Sequence, residues 1–304
     1  MKTRGLSERV RFGPVEVLPG PDGGRYPYSH TLYVHGPEPA VIDPGMTFDP
    51  ARYDFDPESV AWVLNSHCHE DHEGGNHLFP NAKVIAPAED APFIRSLDAY
   101  AAANGMAGRA EEEAWRKMMT DVWGFRESPV HREVVDNEVV EVGGLRMRFV
   151  YLPGHTPGHA GVYFEGEDVF FIADVDLTSF GPFYGDHFSS IDQFLESIRR
   201  VRDMKPRTLV TSHGKGLFKG DEMRSALDRF EQKILQRDEA ILRMLADRPH
   251  TLDEIVDAHL VYRRYPEPAF MYREIERVMI EKHLKRLERL GCTCADGALW
   301  KAAG

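Results

Sequence analysis

Cysteine is scarce: three residues in 304, at Cys68, Cys292 and Cys294. An odd count this low cannot build a disulfide framework, so the fold must rest on a packed core. Long apolar runs are missing as well. No stretch approaches the roughly 18 residues needed to cross a bilayer. The opening MKTRGLSERVRF lacks the apolar segment of a secretory signal. These absences point to a cytoplasmic protein with no membrane partner. No internal repeat and no low-complexity tract interrupts the chain. Basic charge is in deficit, with 37 Lys+Arg against 49 Asp+Glu and a net charge of −12. The deficit is confined to residues 1–216, which hold 21 basic and 33 acidic groups, whereas residues 217–304 hold 16 of each. An acidic first part argues against a polyanionic partner along that surface.

What is present suits a globular chain. Hydrophobic residues make up 42% and charged residues 28%, enough apolar side chain to bury a core. The length suits one large domain, or a large one with a small one. Residues 10–43 read as short strands, with HTLYVHG and AVIDPG flanking Pro37-Glu38-Pro39 like a hairpin. SVAWVLNSH and KVIAPA are further strands. Residues 88–128 change to helical spacing and form an insertion. EVVEVGG, LRMRFVYLPG, AGVYFEG and DVFFIAD return to strand character. IDQFLESIRRVRDM is amphipathic, with Ile191, Phe194, Leu195, Ile198 and Val201 on one face. RTLVTSHG is the last strand of this part.

Beyond residue 217 the texture is helical. MRSALDRFEQKILQRDEAILRMLAD is long and periodic. TLDEIVDAHL begins with Thr251 and has Glu254 three positions on, a capping box. MIEKHLKRLERL is a third helix, and CTCADGALWKA reads as a hairpin around Asp296-Gly297. Three helices and a hairpin are the plan of a winged helix. The expected division is therefore residues 1–216 and 217–304.

Four segments end in residues of the metal-binding type. They are HCHEDH, with His67, His69, Asp71 and His72; PGHTPGH, with His155; FFIAD, with Asp174; and VTSHG, with His213. Each follows a predicted strand, and strand ends of one sheet system can converge at one edge. Within HCHEDH, His67 and His69 alternate along an extended segment and point the same way. Asp71 and His72 follow the turn of the chain and can face a second ion. Cys68, between two ligands, points away and packs. His159 reads as a residue that holds a ligand in place rather than a ligand. Imidazole and carboxylate suit zinc, and also iron or manganese.

HCHEDH is an HxHxDH motif. With GHTPGH, the aspartate after FFIA and the late SHG, the sequence resembles the metallo-β-lactamase fold hydrolases over roughly residues 10–216. The resemblance implies an α+β architecture, a four-layer αβ/βα sandwich with metals at one edge of two packed sheets. By position, one metal would take His67, His69 and His155, the other Asp71, His72 and His213, with Asp174 bridging. Within the superfamily the sequence looks like the glyoxalase II, thioesterase and broad-hydrolase branches. The lactonases of acyl-homoserine signals carry a Tyr where Leu177 stands here. A flavodiiron site would have Glu at position 69. The implied reaction is attack of a metal-bridging hydroxide on a thioester, ester or lactone carbonyl of a small acyl substrate, with Asp71 orienting the hydroxide.

Substrate signals are weaker. Trp115, Met118, Met119, Trp123 and Phe125 in the insertion, and the loop LTSFGPFYGDHF, could roof the site. Tyr184, His187 and Trp123 are the expected substrate contacts. The last helix carries Lys282, Lys285, Arg286 and Arg289 opposite Ile280, Leu284, Leu287 and Leu290. It reads either as a nucleic-acid recognition helix, which would make the enzyme an RNA-cleaving nuclease, or as a packing helix that supports the active site or a homodimer. The nucleic-acid partner is disfavoured because the tail is net neutral. A mononuclear iron enzyme resembling persulfide dioxygenases is the remaining rival, and the complete second ligand set counts against it.

Overall fold

The computed structural model describes residues 5–303. Two sheets carry it. The first contains β1 (Val10–Phe12), β2 (Val15–Leu18), β3 (Thr31–Val34), β4 (Ala40–Ile42), β5 (Trp62–Leu64), β6 (Lys83–Pro87) and β7 (Arg132–Val134), paired in that order. Strands β1 to β4 pair antiparallel, and β4 to β7 run parallel. The second sheet has the order β13 (Leu217–Lys219), β12 (Thr208–Val210), β11 (Val169–Phe171), β10 (Ala160–Phe164), β9 (Leu145–Tyr151) and β8 (Val139–Val142). Only β11 and β12 are parallel in it. Several strands are buried on both faces: TLYV, AVI, VFF and TLV have no exposed residue. That is why they read as continuous apolar runs rather than alternating ones.

The sheets meet across one core. Val15, Val17, Leu32, Ile42, Leu64 and Ile85 come from the first, and Met147, Phe149, Val162, Phe164, Phe171 and Val210 from the second. Each fully buried side chain of this size contributes roughly 1.5–3 kcal/mol. Helices cover both outer faces. The insertion forms α2 (Ala91–Arg95), α3 (Leu97–Ala103) and α4 (Glu112–Asp121), after the short α1 (Glu70–Glu73). Ile94, Tyr100, Met119 and Phe125 pack there on Leu18, Val41, Val63 and Val84. Over the second sheet lies α5 (Ile191–Met204), capped by the Ser190 side chain, which accepts from the Gln193 amide. Its Ile191, Phe194, Leu195, Ile198 and Val201 are all buried.

Beyond β13 follow α6 (Gly220–Asp247), β14 (His250–Thr251), α7 (Leu252–Val256), α8 (Ala269–Arg289), β15 (Thr293–Asp296) and β16 (Leu299–Ala302). The capping box at Thr251 and Glu254 is formed, and β15 and β16 pair as a hairpin. Three expectations change. Residues 217–219 are the edge strand of the second sheet, and the 28-residue α6 is shared: Phe230 and Ile234 pack on that sheet, Ile241 and Leu245 on α7 and α8. A division at 216 therefore cuts through a packed layer. The last helix begins at Ala269, ten residues ahead of the legible pattern. Leu290 is 59% exposed rather than part of the apolar face, because α8 ends at Arg289. No helix among the described residues is long and apolar enough to cross a membrane.

Candidate metal centre

Strand ends build the centre. His67 and His69 follow β5, His155 follows β9, Asp174 follows β11 and His213 follows β12. The chain bends at 66–68, and His69 sits at the N-terminus of α1 with extended backbone angles. Helix α1 then turns Asp71 and His72 toward the same point. The structure brings all seven residues together in three overlapping sets: His67, His69 and His155; His67, His72 and Asp174; Asp71, His72 and His213, with ligand atoms within 4.8 Å of one another in each. Asp174 lies between the sets. Its Oδ1 is 3.0 Å from His72 Nε2 and 3.4 Å from His213 Nε2, and its Oδ2 is 3.4 Å from His155 Nε2.

Each histidine has one ring nitrogen anchored, which leaves the other pointing inward. His72 Nδ1 faces Asp43 Oδ2 at 3.0 Å. His67 Nδ1 donates to Ser66 Oγ at 2.9 Å, and that hydroxyl donates to Asp43 Oδ2 at 2.6 Å. His155 Nδ1 donates to the Phe183 carbonyl at 3.0 Å, and His213 Nδ1 to the Gly24 carbonyl at 2.8 Å. His69 is turned the other way: its Nε2 meets Asp186 Oδ2 at 2.9 Å, leaving Nδ1 for the centre. The inward atoms lack ordinary partners. His67 Nε2 and His155 Nε2 stand 3.2 Å apart, and their anchored tautomers put no proton between them. His72 Nε2 and Asp174 Oδ1 are buried and without a hydrogen-bond partner. Lone pairs aimed at a shared point fit divalent cations with N/O ligands, as buried polar atoms otherwise find hydrogen bonds.

The electrostatics divide the centre in two. Burial and neighbouring imidazoles hold His67 well below its usual range, and burial with His69 holds His155 at about 4. On the other side burial is outweighed by Asp174 and Asp71, which raise His72 and His213 well above theirs. Burial disfavours the Asp174 carboxylate, yet His72 and His213 keep it well below its ordinary value. Burial likewise opposes a charged His69, and Asp186 nevertheless raises it to about 9. The carboxylate side thus gathers positive charge, the demand a cation meets.

Three supporting residues had no signal in the pattern. Asp43 is buried at the end of β4 with a left-handed φ of 54° and accepts from Ser66 and His72. Ala173, just before Asp174, also has positive φ at 42°; such non-glycine strain gathers at functional sites. Asp90 ties two ligand loops together. Its Oδ2 accepts from the Cys68 amide at 3.0 Å and Thr156 Oγ at 2.5 Å, and its Oδ1 from the Gly158 amide at 2.6 Å. A short acid after a strand end is the only hint that Asp43 offered.

Other expected residues are placed differently. Cys68 packs fully buried among Tyr100, Met119 and their neighbours. His159 spans the Leu152 carbonyl and the Asp174 amide. Tyr184 is no substrate contact: its side chain is fully buried, and its hydroxyl lies 2.7 Å from both His283 Nε2 and Arg237 Nη1. Contacts from α6 and α8, invisible along the chain, turn it away from the centre. His187 is exposed beside Asp186, and Trp123 is half-buried against the insertion's core.

The layered sheets with ligands at one edge define a class. A sequence profile described as the Metallo-beta-lactamase superfamily matches residues 23–213. The chain belongs to that superfamily, and with it to the metal-dependent hydrolases. It is 30% identical over 240 residues to a hydroxyacylglutathione hydrolase of Rhodospirillum rubrum, across 76% of this chain and 73% of that protein. It is 27% identical over 169 residues to an N-acyl homoserine lactonase of a Bacillus species, across 52% of this chain and 57% of that one. The crystal structure of a metallo-beta-lactamase family protein from Thermus thermophilus superposes with a TM-score of 0.73 at 24% identity. That match covers 95% of this chain and 98% of the other, so the shared fold reaches into the C-terminal helices.

Proposed function

We propose that the chain hydrolyses a carbonyl bond of a small acyl substrate, a thioester, ester or lactone, with two divalent ions, zinc first and iron or manganese next. One observation carries the reading: two three-residue ligand sets converge on adjacent points, with Asp174 between them and His72 Nε2 and Asp174 Oδ1 buried without a hydrogen-bond partner. His67, His69 and His155 would hold one ion, and Asp71, His72 and His213 the other. Two such ions supply a water acidified toward neutrality and a Lewis acid for the carbonyl oxygen. Asp71 is the catalytic candidate. Its Oδ1 is 3.6 Å from His72 Nε2 and its Oδ2 3.3 Å from His213 Nε2, so one carboxylate can bind and also orient the attacking water. The neutral His67 and His155 need shed no proton to serve as ligands near pH 7. His187 and Trp123 remain candidate substrate contacts. The names of two relatives, a hydroxyacylglutathione hydrolase and an N-acyl homoserine lactonase, support an acyl carbonyl.

We read residues 217–304 as winged-helix-like, on the order of α6, α7, α8 and the β15–β16 hairpin. The RNA-nuclease alternative would need the basic face of α8 to be free. Lys282 donates to the Asp186 carbonyl, Arg286 pairs with Asp238 and Asp192, and Arg289 pairs with Asp192. Three of its four cations are therefore engaged inside the molecule.

The test is elemental analysis of protein purified without added metal, followed by hydrolysis of thioesters, esters and lactones before and after chelation and zinc return. About two ions per chain and turnover restored by zinc are expected. A single iron per chain with oxygen uptake would overturn the reading.

A further inference from the structure

Residues 175–190 run from Asp174 to α5 and carry two groups that touch candidate ligands. The Phe183 carbonyl accepts from His155 Nδ1, and Asp186 Oδ2 meets His69 Nε2. Both ligands belong to the three-histidine set. The other set is anchored elsewhere: His72 by Asp43, His213 by the Gly24 and Tyr28 carbonyls, and the Asp71 carbonyl by Ser29 Oγ at 2.6 Å.

The insertion holds the far end of this loop, where the His187 amide donates to Asn104 Oδ1 and Phe188 stacks on Phe93; α6 and α8 hold the part that carries Phe183 and Asp186. Arg237 Nη1 donates to the Pro182 carbonyl at 2.8 Å and to the Tyr184 hydroxyl at 2.7 Å, and its Nη2 to the Phe180 carbonyl at 2.7 Å. Tyr184 donates in turn to His283 Nε2, whose Nδ1–H is bound by Asp238 Oδ1 at 2.7 Å. Arg237, Tyr184, His283 and Asp238 are all buried. Lys282 holds the Asp186 carbonyl. The loop also lies close against α8: a Cβ on Gly185 would stand 2.5 Å from Ile275 Cγ2.

We propose that the C-terminal helices are a positioning element for one of the two metal sites, the three-histidine site, acting through the Arg237–Tyr184–His283–Asp238 relay on Phe183 and Asp186. Tyr184 and Asp186 are positioning residues in this scheme. The relay reaches the site from one side only, so loosening the loop misaims His155 and His69 and leaves Asp71, His72 and His213 in place. The proposal rests on the metal-centre reading above.

The experiment is a cobalt(II) titration of the chelated full-length protein, followed by calorimetry and by the visible absorption of the bound ion. Wild type, Tyr184→Phe and Asp186→Asn are compared, each also with His69→Ala or His213→Ala. Thermal unfolding verifies that every protein is folded. Both single variants are expected to weaken one binding step about 10- to 100-fold, the range for lost ligand supports, and leave the other step unchanged. With His213→Ala the weakening persists, and with His69→Ala it vanishes. Equal weakening of both steps, or of neither, in folded variants overturns the proposal alone. Wild-type protein that takes up no cobalt overturns the metal-centre reading as well.

Discussion

The burden at the residue scale falls on buried acids and histidines outside the ligand set. Asp90 joins the HCHEDH and GHTPGH segments through three donors. Asp90→Asn turns an acceptor into a donor facing donors, so a cost of about 2–4 kcal/mol is expected in urea unfolding. A loss below measurement error would remove Asp90 as the tie. His30 gives a pH dependence. Its Nδ1 accepts from the Gly20 amide, its Nε2 faces the Gly214 carbonyl, and burial lowers it from 6.5 to about 4. The unfolded chain then binds more protons than the folded one between those values. The contribution is full above pH 6.5 and is lost as pH falls toward 4. Against His30→Gln, the stability advantage of the wild type is expected to shrink by about 2 kcal/mol from pH 7.5 to 5. A constant gap across that range would contradict the assignment.

Among elements, the loop presenting His155 and the helix α8 are the informative ones. Gly154 has φ of +127°, and a Cβ there would stand 2.3 Å from the Phe194 amide nitrogen at the start of α5. Gly154→Ala is expected to cost more than about 2 kcal/mol from strain and overlap, with ion uptake falling from two toward one. Full metal content and unchanged stability would show that the loop tolerates a side chain. For α8, the engagement of Lys282, Arg286 and Arg289 predicts weak binding to a single-stranded RNA oligomer. Fluorescence anisotropy between 50 and 200 mM salt, concentrations chosen on the scale of phosphate-driven binding, should show only a shallow salt slope. A steep slope would restore the nuclease alternative.

Across the whole molecule, the two parts share α6 and the second sheet. Residues 1–216 by themselves would lack the edge strand β13 and the α6 side chains Leu227 and Phe230, which share one core cluster with Phe170 and Leu209 of the second sheet. Without those residues a cooperative unfolding transition is not expected, whereas the full chain should unfold as one unit by circular dichroism. A fragment with a sharp transition would show that the C-terminal helices are an accessory. Ion binding adds to this cohesion, since a ligand at about 1,000 times its Kd stabilises the folded state by about 4 kcal/mol.

The candidate ligands are legible because metal chemistry restricts residue type and spacing. HCHEDH packs three histidines, an aspartate and the start of a helical turn into six residues, and His155, Asp174 and His213 each sit just beyond an apolar strand. Strand direction alone then sends them to one edge. Amphipathic period likewise revealed the buried face of α5. Tertiary structure alone decided the rest. Asp43, Asp90 and Asp186 are single acids in loops, with partners from 22 to 117 positions away in the chain, so no local period could mark them. Tyr184 looked like a substrate contact because its loop follows Asp174. Its direction is set by Arg237 and His283, which reach it only once α6 and α8 are packed. Local spacing determines which side chains can share a metal; the packing of distant helices decides what holds those side chains still.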